Sequence, residues 1–246
     1  MLKPARRDQG AQAPMTWQQL PHGMWLREQL SVALAPHSAK MFGYYAARLG
    51  HLAAQLELPD LRLRHDFSLA ANTQTQANTP VTIQADLEYL PFAESALDAV
   101  IMVGQLEFER DPHQVLREVS RSLIADGYVV IAGFNPLSPA LLSGFWPTHF
   151  RKPPWCGRYF TKARVCDWLS VLNFEVVASG YVGASILCTA TKRPDFGLAQ
   201  VSRFIPQLRS MYYIVARKRE FPLTVVRVRQ RAKPRLRSLP VANRVK

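Results

Sequence analysis

Between residues 81 and 135 the chain shows its clearest pattern of apolar and polar positions. Ala99–Val103 is an unbroken apolar run, of the kind that fills a strand buried on both faces of a sheet. Apolar residues then recur at helical spacing after Asp111-Pro112, and we expect Asp126-Gly127 to end that helix. Tyr128–Ala132 follows as a second apolar run. Strand, helix and strand at this spacing predict a βαβ unit, with parallel strands and a right-handed crossover.

Segments on both sides extend this unit into a larger sheet. Further strands are predicted at Tyr44–Leu49, Leu61–Phe67, Val81–Ile83, Phe174–Ala178 and Met211–Arg217. Helices are predicted from Trp17 to about Ala35 with a break near Pro21–Gly23, from Thr161 to Leu172, and near Ala199–Leu208. The fold class is therefore α/β, and Met1–Pro14 is expected to be a loose lead-in.

The stretch from Val81 to Asn135 resembles the second half of a class I S-adenosylmethionine (SAM)-dependent methyltransferase, of the bacterial small-molecule type that includes quinone-biosynthesis enzymes. The matching positions are Ala85-Asp86, Leu90-Pro91-Phe92, Asp98-Ala99-Val100, Asp111-Pro112, Leu116-x-Glu118-x-x-Arg121-x-Leu123 and Asp126-Gly127. The resemblance implies a Rossmann-like sheet of seven strands, in which one of the last two strands runs against the rest. It also implies SAM as the cofactor and methyl transfer to an acceptor as the activity.

The first half of the chain departs from that family pattern. Family members carry a glycine-rich loop after the first strand, preceded by an acidic residue, and the glycines let the backbone approach the methionine end of SAM closely. Here Gly50 is the one glycine that remains, and Arg48 takes the acidic position. His51–Leu58 has room for about two helical turns, and Ala70–Pro80 is a polar loop. We therefore predict a reduced N-terminal half with a degenerate cofactor loop.

The resemblance implies cofactor contacts at four residues. Gly50 holds the remaining close approach to SAM, and Gln105 follows the fourth strand, where the cleft opens. Asp86 is placed beside the adenine, whose exocyclic amine it can bond, and Leu87 offers its backbone amide. The alternative for Asp86 is that it caps the turn that leads to Leu90.

Two further acids have competing interpretations. Asp66 is either the acid at the end of the second strand, bonding the ribose hydroxyls, or half of a loop pair with His65. Glu107 is either a base that orients an acceptor amine or an exposed acid at the start of a helix. Methyl transfer depends mostly on positioning, so we assign no catalytic residue.

The net charge of +13 is concentrated at the C-terminal end. Residues 217–246 contain eleven Lys and Arg and one acid, a net charge of +10. We divide the chain into residues 1–39 (lead-in and helix), residues 40–219 (methyltransferase-like domain) and residues 220–246 (disordered basic tail). The tail either contacts nucleic acid through phosphates, lies on an anionic membrane surface, or is merely solvated. It contains no Trp or Tyr for stacking, so any nucleic-acid contact is expected to be non-specific.

Composition narrows the remaining possibilities. A hydrophobic content of 48% is enough for a packed core. We find neither an apolar run long enough to cross a membrane nor a signal peptide, and therefore expect a cytoplasmic protein. The three cysteines and six histidines show no metal-ligand spacing, so we expect reduced thiols and no metal site.

The sequence leaves the acceptor open, as a small molecule or a macromolecule, and does not fix the oligomeric state. Two alternatives to an active enzyme stay open as well. One is a methyltransferase-like scaffold that has lost SAM, which the replacement at Arg48 favours. The other is an RNA- or ribosome-associated protein that binds through its basic tail.

Overall fold

Seven strands form one mixed sheet in a computed structural model that describes residues 6, 10–71, 82–142, 155–184 and 205–220. The strands are β1 (Phe42–Leu49), β2 (Arg62–Ala70), β3 (Ile83–Gln84), β4 (Leu97–Val103), β5 (Leu123–Phe134), β6 (Phe174–Val182) and β7 (Met211–Lys218). Their order across the sheet is β3-β2-β1-β4-β5-β7-β6, and β7 runs antiparallel to both its neighbours. The predicted α/β fold, with its Rossmann-like seven-stranded sheet, is confirmed.

Five helices accompany the sheet in the described ranges. They are α1 (Gly23–Ser38), α2 (His51–Ala54), α3 (Pro112–Ser122), α4 (Pro139–Leu142) and α5 (Lys162–Val171), with single 3₁₀ turns at Trp17–Gln19 and Pro206–Leu208. The predicted break before the first long helix is present, because His22 has a left-handed backbone with φ of 53°. Only the last turn of the helix predicted near Ala199–Leu208 lies within the described residues, and the basic tail beyond Glu220 lies outside them.

The boundaries of α3 show where local signals succeed and where they fail. Asp111 caps the helix, since its Oδ1 accepts from the backbone amides of residues 113 and 114, each at 3.1 Å. The predicted end at Asp126-Gly127 is wrong, because α3 ends at Ser122 and β5 begins at the next residue. Asp126 has a φ of 64° inside β5, and the pairing of β4 with β5 shifts register between Leu97 and Ala99. The Asp-Gly pair therefore marks an irregularity in a strand.

Two apolar clusters cover the faces of the sheet. One contains Val115 and Val119 from α3 with Leu169 from α5. The other contains the leucines of α1, together with fully buried Trp17, packed on Ile101 of β4. Helix α1 therefore covers one face of the sheet beside α2.

The N-terminal half of the sheet is only partly covered. Helix α2 has four residues and β3 has two, which agrees with the predicted reduction. A groove of about 1020 Å³ opens between α1, α2 and β2. It is lined by residues of these elements and of the segments around them: Thr16, Gln18, Met24, Arg27, Ser31, Arg48, residues 54–59, residues 66–68 and Thr82.

Candidate cofactor and acceptor site

Gly50 and Gln105 meet where the carboxyl ends of β1 and β4 lie side by side. Gly50 has a φ of +92°, and a Cβ at this position would collide with the Oε1 atom of Gln105. The side-chain amide of Gln105 in turn donates to Oε1 of Glu109. Only glycine satisfies both the backbone angle and the space at Gly50. The structure thus brings two of the four predicted cofactor residues into direct contact.

Asp86 and Leu87 form the turn that follows β3. Oδ1 of Asp86 accepts from the backbone amide of Glu88 at 2.9 Å, and the carbonyl oxygen of Asp86 accepts from the amide of Tyr89 at 3.1 Å. Asp86 therefore does cap its turn, while its side chain stays exposed at the rim of the sheet. The side chain of Leu87 is fully buried and anchors the turn in the core.

A group of acids surrounds this rim. Glu88 is 5% exposed, pairs with Arg110 at 2.8 Å and accepts from the amide of Asp111 at 3.0 Å. Burial raises the pKa of Glu109, and the nearby charges of Glu88 and Asp86 raise it further. The rim therefore carries the exposed carboxylate of Asp86 beside the ion pair of Glu88 and Arg110.

Arg48, which replaces the family's acidic residue, has a structural role. Its Nη2 lies 2.6 Å from Oδ2 of Asp66, and its Nη1 donates to the carbonyl oxygens of Ala53, at 3.1 Å, and Leu56. One guanidinium thus closes the end of α2 and holds β2, as only a forked donor can. Asp66 lies inside β2, four residues before its end at Ala70. Both interpretations of Asp66 are therefore wrong, since it lies neither at the end of a strand nor in a loop pair with His65, and its partner is Arg48.

Glu107 is a buried carboxyl group at the carboxyl edge of the sheet. Its side chain is 1% exposed, and its Oε1 accepts from the backbone amide of Phe134 at 2.8 Å. Among the described residues its Oε2 has no hydrogen-bond partner. Burial raises the pKa of Glu107 to about 7, against the opposing effect of two backbone hydrogen bonds. The alternative of an exposed acid at a helix start is wrong.

Tyr212 lies beside Glu107, and the sequence pattern gives no sign of it. A Cβ at Gly133 would lie within 2.5 Å of both the Oε1 atom of Glu107 and the hydroxyl oxygen of Tyr212. Burial raises the pKa of the Tyr212 phenol, and the charge of Glu107 raises it further. The pairing of β5 with β7 places Tyr212 opposite Gly133, so no local pattern could have indicated this neighbour.

Two segments cover this edge of the sheet: residues 10–17 and residues 155–158, which we call the cover. The amide of Ala11 donates to the carbonyl oxygen of Phe108 at 2.8 Å, and Nε1 of Trp17 donates to that of Leu52 at 3.0 Å. The amide of Arg158 donates to the carbonyl oxygen of Glu107 at 2.7 Å. Residue 11 of the expected loose lead-in is therefore held against the turn at Phe108. The bond from Arg158 holds residues 155–158 against Glu107, which is 1% exposed.

Known proteins resemble this chain along most of its length. Residues 43–131 match the family model of a methyltransferase domain. Over 244 residues the chain is 36% identical to the uncharacterized protein YafS of Escherichia coli (strain K12), covering 99% of this chain and 97% of that protein. The chain belongs to the class I SAM-dependent methyltransferase family. This membership identifies SAM as the family's cofactor and SAM-dependent methyl transfer as its general activity.

Solved structures agree on the fold of this methyltransferase. A SAM-dependent methyltransferase from Thermotoga maritima, described as a possible histamine N-methyltransferase, superposes with a TM-score of 0.55 at 13% identity, covering 80% of this chain and 92% of that one. A chain of the complex between the Haloferax volcanii Trm112 methyltransferase activator and a putative methyltransferase superposes with a TM-score of 0.54 at 17% identity. The match covers 82% of this chain and 97% of that one. These likenesses show the shared fold, and it is the family match that favours methyl transfer over the scaffold and RNA-associated alternatives.

Helix length and the grouping of ligand side chains bear on two other kinds of site. None of the helices in the described residues has the length and apolarity that a membrane span requires. No three His, Cys, Asp or Glu side chains in these ranges are grouped as metal ligands would be. Cys166 is a free thiol, and burial raises its pKa. The candidate site is formed by the residues around Gly50, Asp86 and Glu107.

Proposed function

We propose that this methyltransferase binds SAM across the carboxyl ends of β1, β3 and β4. The observation that carries the proposal is the close approach of Gly50 to Gln105, with the acidic rim of Asp86 beside it. A glycine at positive φ, with a polar side chain over its missing Cβ, offers a backbone surface that a ligand can reach once that side chain turns away. SAM, when bound, supplies a methyl group on a cationic sulfur.

Each predicted cofactor residue has a distinct role in this proposal. The exposed carboxylate of Asp86 accepts a hydrogen bond from the adenine amine, and the backbone amide of Leu87 donates to the ring. Gly50 admits the methionine end, and Gln105 exchanges its bond to Glu109 for one to the ligand. The acids at the rim favour the positive charge of the cofactor.

We place Glu107 on the acceptor side of the cleft. Once ionised, its unpartnered Oε2 can accept the proton that an amine or hydroxyl acceptor loses on methylation. A carboxyl group with a pKa of about 7 suits this transfer at neutral pH. The acceptor must displace the cover to reach Glu107, so closure of the cover would also exclude water from the reaction. A small molecule or an exposed group of a macromolecule fits this requirement.

Calorimetric titration of S-adenosylhomocysteine (SAH) into the full chain tests the cofactor site. We expect micromolar binding that Asp86→Ala weakens about tenfold, equal to about 1.4 kcal/mol. The control is Asp60→Ala, which removes an exposed aspartate away from the rim and should leave the affinity unchanged. Absence of heat at millimolar SAH, or equal losses in both variants, would contradict the proposal.

A further inference from the structure

Exposed aromatic side chains crowd the amino end of β1, opposite the edge that holds the candidate cofactor site. Phe42 is 77% exposed and Tyr44 is 62% exposed. Residues two apart in a strand start from the same side of the sheet, and the ring of Tyr44 lies 6.5 Å from the ring of its neighbour Tyr45. Tyr45 in turn stacks on His65, with ring centroids 5.5 Å apart.

Cations stand next to these rings. Arg62 of β2 pairs in register with Phe42, and Arg64 follows two residues later on the same face. Both arginines are exposed, and neither has an ion-pair partner among the described residues. We call Phe42, Tyr44, Arg62 and Arg64 the aromatic–arginine face.

Three acids lie near this face: Asp98, Asp66 and the exposed Asp60, two residues before Arg62. The carboxylate of Asp98 accepts from the backbone amides of Tyr44 and Tyr45, each at 2.9 Å. Asp66, next along β2, pairs with Arg48. Arg62 and Arg64 have no ion-pair partner among the described residues, so both guanidinium groups are available to an anion. Toward the carboxyl edge the same side of the sheet continues into the open groove lined by Asp66 and Ser68.

We propose that the aromatic–arginine face binds single-stranded nucleic acid, with bases stacked on Phe42 and Tyr44 and phosphates on Arg62 and Arg64. Rings beside unpaired cations on an open sheet provide both elements of such binding, a stacking surface and a positive track for the backbone. An apolar protein partner would instead have to bury two arginines without counter-charges. The proposal concerns binding alone and is independent of methyl transfer.

Fluorescence anisotropy with a labelled oligouridylate of about twelve nucleotides, titrated with the full chain and without SAM, tests the proposal. We expect Phe42→Ala and Tyr44→Ala each to weaken binding about fivefold or more, because each variant lacks the ring on which one base stacks. The matched control is Tyr89→Ala, which removes a tyrosine of similar exposure (67%) outside the face and should bind as the native chain does.

Salt dependence separates this face from the basic tail, which remains intact in every variant. The double change Arg62→Gln and Arg64→Gln should lower the slope of log affinity against log salt by roughly 1.4, about 0.7 for each phosphate that is no longer neutralised. A labelled duplex of the same length should be insensitive to the two alanine changes, since its bases are already stacked. Native affinity in both alanine variants would overturn the proposal and assign binding to the tail. Lack of binding, with a native dimer that Phe42→Ala dissociates, would overturn it in favour of self-association.

Discussion

Replacement of Glu107 by glutamine tests the burial of this carboxyl group through the pH dependence of stability. In the unfolded chain Glu107 loses its proton near its ordinary pKa of 4.5, whereas in the folded protein it keeps the proton to about pH 7. Between these values the unfolded state binds fewer protons than the folded state, so the free energy of unfolding falls as pH rises. The stabilising effect is fully present below pH 4.5 and is lost by about pH 7.

The size of the effect follows from the two pKa values. Each pKa unit corresponds to about 1.4 kcal/mol, so complete ionisation lowers the free energy of unfolding by about 3 kcal/mol. About 2.5 kcal/mol of this loss falls between about pH 5 and pH 8. Glutamine has nearly the shape of the protonated acid and cannot ionise. Glu107→Gln should therefore match the native chain to within about 1 kcal/mol at about pH 5 and exceed it by about 3 kcal/mol at about pH 8.

Urea unfolding followed by circular dichroism at about pH 5 and pH 8 measures this difference. Burial lowers the pKa of His37 and of His113, but both residues are present in both proteins, so their contributions cancel. Glu94→Gln, at an exposed position, is the control and should follow the native chain at both pH values. Parallel stability curves for the native chain and Glu107→Gln would refute the argument, because they would mean that the folded protein does not desolvate this carboxylate.

The same variant tests the role of Glu107 in methyl transfer. We expect Glu107→Gln to bind SAH with native affinity and to transfer labelled methyl from SAM into cell-extract acceptors about 100-fold more slowly. Greater stability combined with lower activity separates a role in the reaction from a role in folding. Unchanged transfer by a stable Glu107→Gln protein would remove Glu107 from the acceptor site.

Two further changes test how the degenerate loop is held. Gly50→Ala should lower the free energy of unfolding by about 2 kcal/mol, because of the positive φ and the collision with Gln105. In a Gln105→Ala background, urea unfolding should show that only the part of this loss due to the collision is recovered. Full recovery of stability would contradict the argument from the backbone angle. Arg48→Lys should cost about 1–3 kcal/mol, because the single nitrogen of a lysine cannot occupy the positions of both Nη1, which bonds the carbonyl oxygens, and Nη2, which bonds Asp66. Urea unfolding of this variant checks that value, and a change below about 0.5 kcal/mol would show that the fork is dispensable.

Local chemistry predicts some features of the site better than others. The sequence identifies Asp111 as the start of α3 because a cap and a following proline act within one turn of helix. The sequence also identifies Gly50, because this position of the glycine-rich loop still requires a residue that tolerates a positive φ and has no Cβ. The predicted helix end at Asp126-Gly127 is wrong, since an Asp-Gly pair permits a left-handed residue in a strand as readily as after a helix. Neither predicted position of Asp66, at a strand end or in a loop, is correct, because the length of β2 depends on its pairing with β1.

The sequence by itself determined the order of strands and helices, the parallel βαβ unit and the family, because apolar periodicity and turn residues act over short distances. Only the tertiary structure decided that Glu107 is buried and that its pKa is raised. Its burial needs Phe134, Tyr212 and the cover, which are distant in sequence and meet only when the sheet closes. Desolvation depends on everything that surrounds a charge, so the chemistry of this carboxyl group exists only in the folded chain.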